Sequence, residues 1–188
     1  MTMLTFEKIQ EIVELIDNFG GHLLVRHLKP SKHLSDLDDT EIIEDVIKSK
    51  YHYWSGEKEP SGLTVGMTST DKYKNVKSWT LTNHKSYGFF DNSKITASHY
   101  KKVTFENFER KLFALIRDLD EGENIFNKKA QTIIATTLNP SATFYHLDLD
   151  EKINIDMVAE WQVYSFFIAF ISIDKQKNIV TLIEFGQD

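Results

Sequence analysis

The chain has 188 residues, 41% of them apolar and 27% charged, with a formal net charge of −6. That length and balance suit a single globular domain with its own core and exclude disorder as the resting state. Cysteine is absent, which excludes disulfides, thiolate metal sites, iron–sulfur clusters and a cysteine nucleophile.

The first element reads as an amphipathic helix. Phe6, Ile9, Ile12, Val13, Ile16 and Phe19 recur at helical spacing, Thr5 is placed to cap it and Gly20 to stop it. Residues 21–28 form a short strand closed by Pro30. A second helix is expected over 39–50, because Asp38 and Glu41 have capping-box spacing and Ile42, Ile43, Val46 and Ile47 share one face.

The middle of the chain changes character. Residues 55–62 are polar and turn-forming, and short runs rich in β-branched and aromatic residues follow at 63–68, 76–82, 87–90 and 94–98. Polar turn residues separate these runs, the pattern of an antiparallel meander. A third helix starts at Thr104, with Phe105, Phe108, Leu112, Leu115, Ile116 and Leu119 on its core face and Glu121-Gly122 at its end.

The last third reads mainly as strands. Residues 131–138 and 143–149 flank Asn139-Pro140-Ser141-Ala142, a turn with proline at its second position. Ala130, Ile133, Ile134 and Thr137 would also fit a helix face, but the β-branched content of 131–138 favours a strand. Residues 162–173 and 178–185 are strongly apolar strands separated by Asp174-Lys175-Gln176-Lys177. The first is apolar on both faces and belongs inside a sheet, covered by helices on one side and by core or a partner on the other.

The expected fold is therefore α+β: one domain over residues 1–188, with an antiparallel sheet of about five to seven strands and about three helices packed on it. The segment 1–19 carries Glu7, Glu11, Glu14 and Asp17 and lacks a signal-peptide pattern, and no apolar run reaches the roughly 20 residues of a spanning helix. Cytoplasm and no membrane partner are the resulting expectations.

Motifs for nucleotide binding, the nucleophile elbow, the zinc-protease helix and the EF-hand are all missing, and no cofactor is expected. The most suggestive residues for chemistry are His146, Asp148 and Asp150 in the run YHLDLD. On a strand they would share one face and offer an imidazole and two carboxylates to a divalent metal. The same alternation marks a half-buried strand with one wet face, which is the stronger reading. His22, His27 and His33 precede Asp36, Asp38 and Asp39, but His22 and His27 lie five positions apart and would face opposite sides of a strand. The acids are better explained as helix-start residues. Aromatic density around His52, between Tyr51 and Tyr53, points to core or interface packing.

Charge is uneven along the chain. Residues 71–104 carry 7 basic and 2 acidic side chains, against 7 and 12 in 1–70 and 8 and 14 in 105–188. Lys72, Lys74, Lys77 and Trp79 typify this basic, aromatic stretch, which could hold single-stranded nucleic acid by phosphate attraction and base stacking. The overall negative charge and the presence of only three arginines, Arg26, Arg110 and Arg117, argue against it. Lysines on edge strands, blocking sheet-to-sheet association, explain the pattern as well.

Three functions follow. The first choice is a non-catalytic protein-binding or regulatory module of a bacterium or mobile element, docking another protein and with room for a homodimer. The alternatives are a small metal- or acid–base-dependent enzyme or ligand-binding domain using His146, Asp148 and Asp150, and a single-stranded nucleic-acid-associated protein using residues 71–104.

Overall fold

The computed structural model describes residues 3–16, 21–55, 85–88, 90–119, 125–150, 154–157 and 166–187. Its centre is a six-stranded, wholly antiparallel sheet. The strands are β1 (Phe6–Ile16), β2 (Gly21–Pro30), β6 (Tyr100–Val103), β7 (Thr143–Leu147), β8 (Phe166–Asp174) and β9 (Ile179–Gln187), in the order β1-β2-β9-β8-β7-β6. Three helices, α1 (Asp39–Lys48), α2 (Phe105–Leu119) and α3 (Ile125–Thr137), accompany it. A small second sheet is made by β3 (Trp54–Ser55), β4 (Lys85–Tyr87) and β5 (Phe90–Asp91). The chain is thus α+β, as its composition and patterning imply. Among the described residues no helix is long and apolar enough to cross a membrane.

Both faces of the sheet are covered. On one side Leu28, Leu147, Ala169, Ile171, Ile173, Val180 and Leu182 meet Ile42, Ile43, Val46 and Ile47 of α1, together with Tyr87 and Phe90 of the small sheet. On the other, Leu23, Val25, Phe144, Phe170, Ile183 and Phe185 pack under Phe108, Leu112 and Ile116 of α2 and Ala130 and Ile134 of α3. Double coverage explains why β8 and β9 read as nearly continuous apolar runs.

α1 begins where capping chemistry places it: the Asp38 carboxylate accepts from the Thr40 amide at 2.8 Å. It ends two residues before the expected position. The face of α2 expected from Phe108, Leu112 and Ile116 is the buried one.

Four expectations are overturned. Residues 6–16 form a strand, not a helix, paired with β2 from Phe6↔Pro30 to Ile16↔Gly21. A bulge between Lys8 and Gln10 breaks the two-residue alternation, so the strand period is hidden while the apolar spacing mimics a helix. Its β-branched Ile9, Ile12, Val13 and Ile16 are at home in a sheet.

Residues 94–98 do not form a strand either. Two one-turn 3-10 segments, Asn92–Lys94 and Ala97–His99, occupy this stretch. Local side chains supply the hydrogen bonds a neighbouring strand would give: Asp91 accepts from the Ser93 amide, and His99 Nδ1 accepts from the Thr96 amide. Immediately before them, residues 87–90 are not one strand but the corner between β4 and β5, where Tyr87 pairs with Phe90.

The last correction is at 131–138, which lies within α3 for all but its last residue. The threonines that favour a strand are accommodated by back-bonding within the helix. Thr132, Thr136 and Thr137 donate to the carbonyls of Lys128, Thr132 and Ile133 at 2.9, 2.7 and 2.7 Å. The expected strands at 63–68 and 76–82 and the loop at 55–62, beyond Ser55 in β3, lie outside the described residues.

Candidate functional site

Three places need comparison: a buried polar cluster under the small sheet, the end of β7, and the outer edge of β1.

The cluster begins with β9. Its alternation sends Val180, Leu182 and Glu184 to the α1 side and Ile183 and Phe185 to the α2 side. Glu184 is therefore carried into the core, where only 1% of it is exposed. Across from it lie Leu24 of β2 and Ala169 of β8. Beside it come Tyr87 from β4 and Tyr100 from β6, with His52 from the turn after α1 against Tyr87, all buried. The His52 and Tyr87 rings stack at 3.8 Å between centroids.

Donor chemistry orders the cluster. Asn92 Nδ2 donates to the Ile47 carbonyl at 3.2 Å, which leaves Asn92 Oδ1 as an acceptor for His52 Nδ1–H at 2.6 Å. His52 Nε2 is then the acceptor for the Tyr100 hydroxyl at 2.7 Å. His52 is thus the neutral tautomer, and burial pushes its pKa down to about 3 despite the Asn92 bond. Burial likewise raises both tyrosines well above the ordinary phenol. The Tyr87 hydroxyl is buried beside Tyr100 and Glu184 but meets no hydrogen-bond partner in good geometry. Burial pushes Glu184 up to about 7; Arg26 and Tyr87 pull it down and Glu11 pushes it further up.

Arg26 does not pair with Glu184. Its Nε donates to Glu11 at 2.5 Å and its Nη1 donates to the Tyr51 carbonyl. Burial acts to raise Glu11, but the bonds and charges of Lys8 and Arg26 hold it below the usual carboxylate range.

The cluster gathers an imidazole, two phenols and a carboxyl, all groups that acid–base catalysis can use, but it is sealed. His52 is 0% exposed, and Tyr87, Tyr100 and Glu184 are buried with it. A substrate cannot reach these atoms in the closed fold. Sequence reading passed over Glu184, although its signal was there: one acid inside the apolar run 179–185.

Among the described residues, His146, Asp148 and Asp150 do not share one strand face. β7 ends at Leu147, so the strand alternation does not carry on through Asp148 and Asp150. His146 packs on Phe170 at 5.0 Å between ring centroids, on the α2 side of the sheet, while Asp148 and Asp150 are exposed. His146 Nδ1 lies 3.9 Å from Asp148. Burial and the charge of Lys111 lower the His146 pKa to about 4, with Asp148 opposing. Among the described residues no three His or carboxylate groups converge as metal ligands.

His27 is bonded to Thr181 Oγ1 at 2.8 Å across the β2–β9 register, and His22 lies on the opposite face of β2. Asp39 opens α1 and is held by the Tyr145 hydroxyl at 2.6 Å and Lys175 at 2.8 Å. Asp38 caps the helix and Asp39 lies in its first turn, while Asp36 belongs to the 3-10 turn Leu34–Asp36 before it.

Lys72, Lys74, Lys77 and Trp79 lie outside the described residues. Within the same basic stretch, Tyr87, Phe90 and Tyr100 are all buried, so none of these three rings is presented to a base.

The sheet has two edges of different character. β6 is four residues long and carries exposed Lys101 and Lys102, a protected edge. β1 is eleven residues long, and beyond its bulge runs regularly from Gln10 to Ile16. Its outer side meets no strand among the described residues. Ile9, Val13 and Leu15 are 50%, 45% and 57% exposed.

No protein-family model, no curated protein and no solved structure matches this chain.

Proposed function

We propose that this protein is a non-catalytic binding module that takes an extended segment of a partner protein onto the free edge of β1. The observation that carries this reading is an edge strand whose outer side meets no strand among the described residues, together with exposed Ile9, Val13 and Leu15. In strand addition, main-chain hydrogen bonds supply affinity and alternate side chains supply specificity. Val13 and Leu15 point to the same face, where a partner residue would meet both. The sealing of His52, Tyr87, Tyr100 and Glu184 away from any substrate supports a binding role over catalysis.

The test is affinity capture from the native cell with wild type and with a Val13→Lys/Leu15→Lys variant, which places charge on the edge. One dominant protein, recovered in comparable amount by wild type and lost by the variant, supports the reading. Recovery of nothing dominant, or equal recovery by both, overturns it. A second copy of the chain as occupant would appear as a concentration-dependent dimer in light scattering.

A further inference from the structure

The edge of β1 carries its own complement. Val13 pairs with Leu24 and Leu15 with His22, on the side of the sheet that holds Glu184. Ile12 and Glu14 pair with Val25 and Leu23, which lie under α2 and α3. Val13 and Leu15 therefore share the exposed side of β1, while Glu14 lies on the other side, bonded to Lys129 of α3 at 2.6 Å. Opposite residues of an antiparallel pair lie on one face. Two copies of β1 joined edge to edge about a two-fold axis can thus meet only in registers centred on a residue.

Most such registers within the regular run are mismatched. Centring on Glu11 sets that acid against itself and draws the bulge between Lys8 and Gln10 into the pairing. Centring on Ile12 sets Glu11 against Val13, and centring on Val13 sets Glu11 against Leu15 and Ile12 against Glu14. Centring on Leu15 sets Glu14 against Ile16. Centring on Glu14 instead sets Val13 against Leu15 on both sides of the axis, and Ile12 against Ile16. It creates one like-charged pair, Glu14 against its own copy, and each of these acids is held by a Lys129 ammonium, so the four charges balance.

We propose that the extended segment taken by the β1 edge is β1 of a second copy of this chain, antiparallel and centred on Glu14. The pairing rests on the strand-addition reading and joins two six-stranded sheets into one. At the other end of the sheet the short β6, with exposed Lys101 and Lys102, resists further addition, so association stops at the closed two-fold pair. Contact over residues 12–16 is small, which makes the dimer transient, half-associated at roughly 1–100 μM.

Sedimentation and cysteine crosslinking of the full chain test this together. Between about 1 μM and about 1 mM, wild type should pass from monomer to dimer, and Val13→Lys/Leu15→Lys should stay monomeric. The chain has no cysteine, so a single introduced one reports the register. Glu14→Cys puts two thiols opposite one another at the axis, with Cα atoms about 5 Å apart. Gln10→Cys, on the same side of the strand, would lie roughly 26 Å from its mate. Under copper–phenanthroline oxidation Glu14→Cys should form the disulfide-linked dimer at least about tenfold faster than Gln10→Cys. A wild type that is monomeric at every concentration overturns the proposal without any variant having to fold, and so does equal or faster crosslinking of Gln10→Cys. If wild type stays monomeric while affinity capture still recovers a different protein through the edge, strand addition stands and self-pairing falls. If capture fails as well, both fall.

Discussion

Gly88 rests against the ring of Phe167: a Cβ at this position would fall 2.2 Å from Phe167 Cδ1, and the backbone there has φ of +56°. The same ring stands edge-on to Tyr87 at 5.2 Å, so the glycine lets the β4–β5 corner reach the sheet. Gly88→Ala should lower stability by about 2–4 kcal/mol, combining left-handed backbone strain with overpacking. Urea denaturation measures it, and an unchanged midpoint would contradict this account of the corner.

Stability should pass through a maximum near neutral pH. His52 and His146 have pKa values lowered to about 3 and about 4, so the stability they confer is present above the ordinary 6.5 and is lost as pH falls through that window. Glu184, raised to about 7, acts in the opposite sense: its contribution is full below 4.5 and is lost as pH rises through 7. These two histidines outweigh the acid between 4.5 and 6.5, and of the three groups the acid alone changes its contribution from 6.5 to about 7. Denaturant melts across this range would show the maximum. Glu184→Gln should abolish the decline on the alkaline side and gain up to about 3 kcal/mol at about pH 8.

Phe170 is fully buried in the α2-side core, meeting Phe108 edge-on at 4.9 Å between centroids. Phe170→Ala should cost about 3–5 kcal/mol, whereas Leu15→Ala on the open edge should change stability by no more than about 0.5 kcal/mol. Equilibrium unfolding of the two variants side by side provides the comparison. Similar losses at both sites would mean that Leu15 is covered.

Asn178 closes the β8–β9 turn with φ of 56°, and its Oδ1 accepts from the Leu34 amide at 2.9 Å. Asn178→Gly keeps the backbone geometry and loses the bond, whereas Asn178→Ala loses both. The alanine variant should therefore be the less stable by about 1 kcal/mol. Equal stability of the two would remove the backbone argument.

The candidate groups were legible to different degrees. Val13 belonged to an apolar pattern visible at once, but a helix and a bulged strand share that pattern, so its exposure on a sheet edge could not be read from it. His146 and Asp148 looked like a metal pair because YHLDLD alternates. The end of β7 at Leu147 removes the shared face that alternation implied. Glu184 and His52 lie 132 positions apart, and no local rule relates them.

Local chemistry determined what local chemistry can: the α+β class, the capping of α1 by Asp38, the apolar stripe of α2 and the paired closing strands. Each depends on residues within a turn or two of one another. Tertiary structure decided the rest. Whether Phe6–Ile16 and residues 131–137 are strand or helix turned on which surface was available to bury them. The same contacts gave Glu184 an environment without a paired cation among the described residues, because a side chain's electrostatics depend on what the fold places against it and not on its neighbours along the chain.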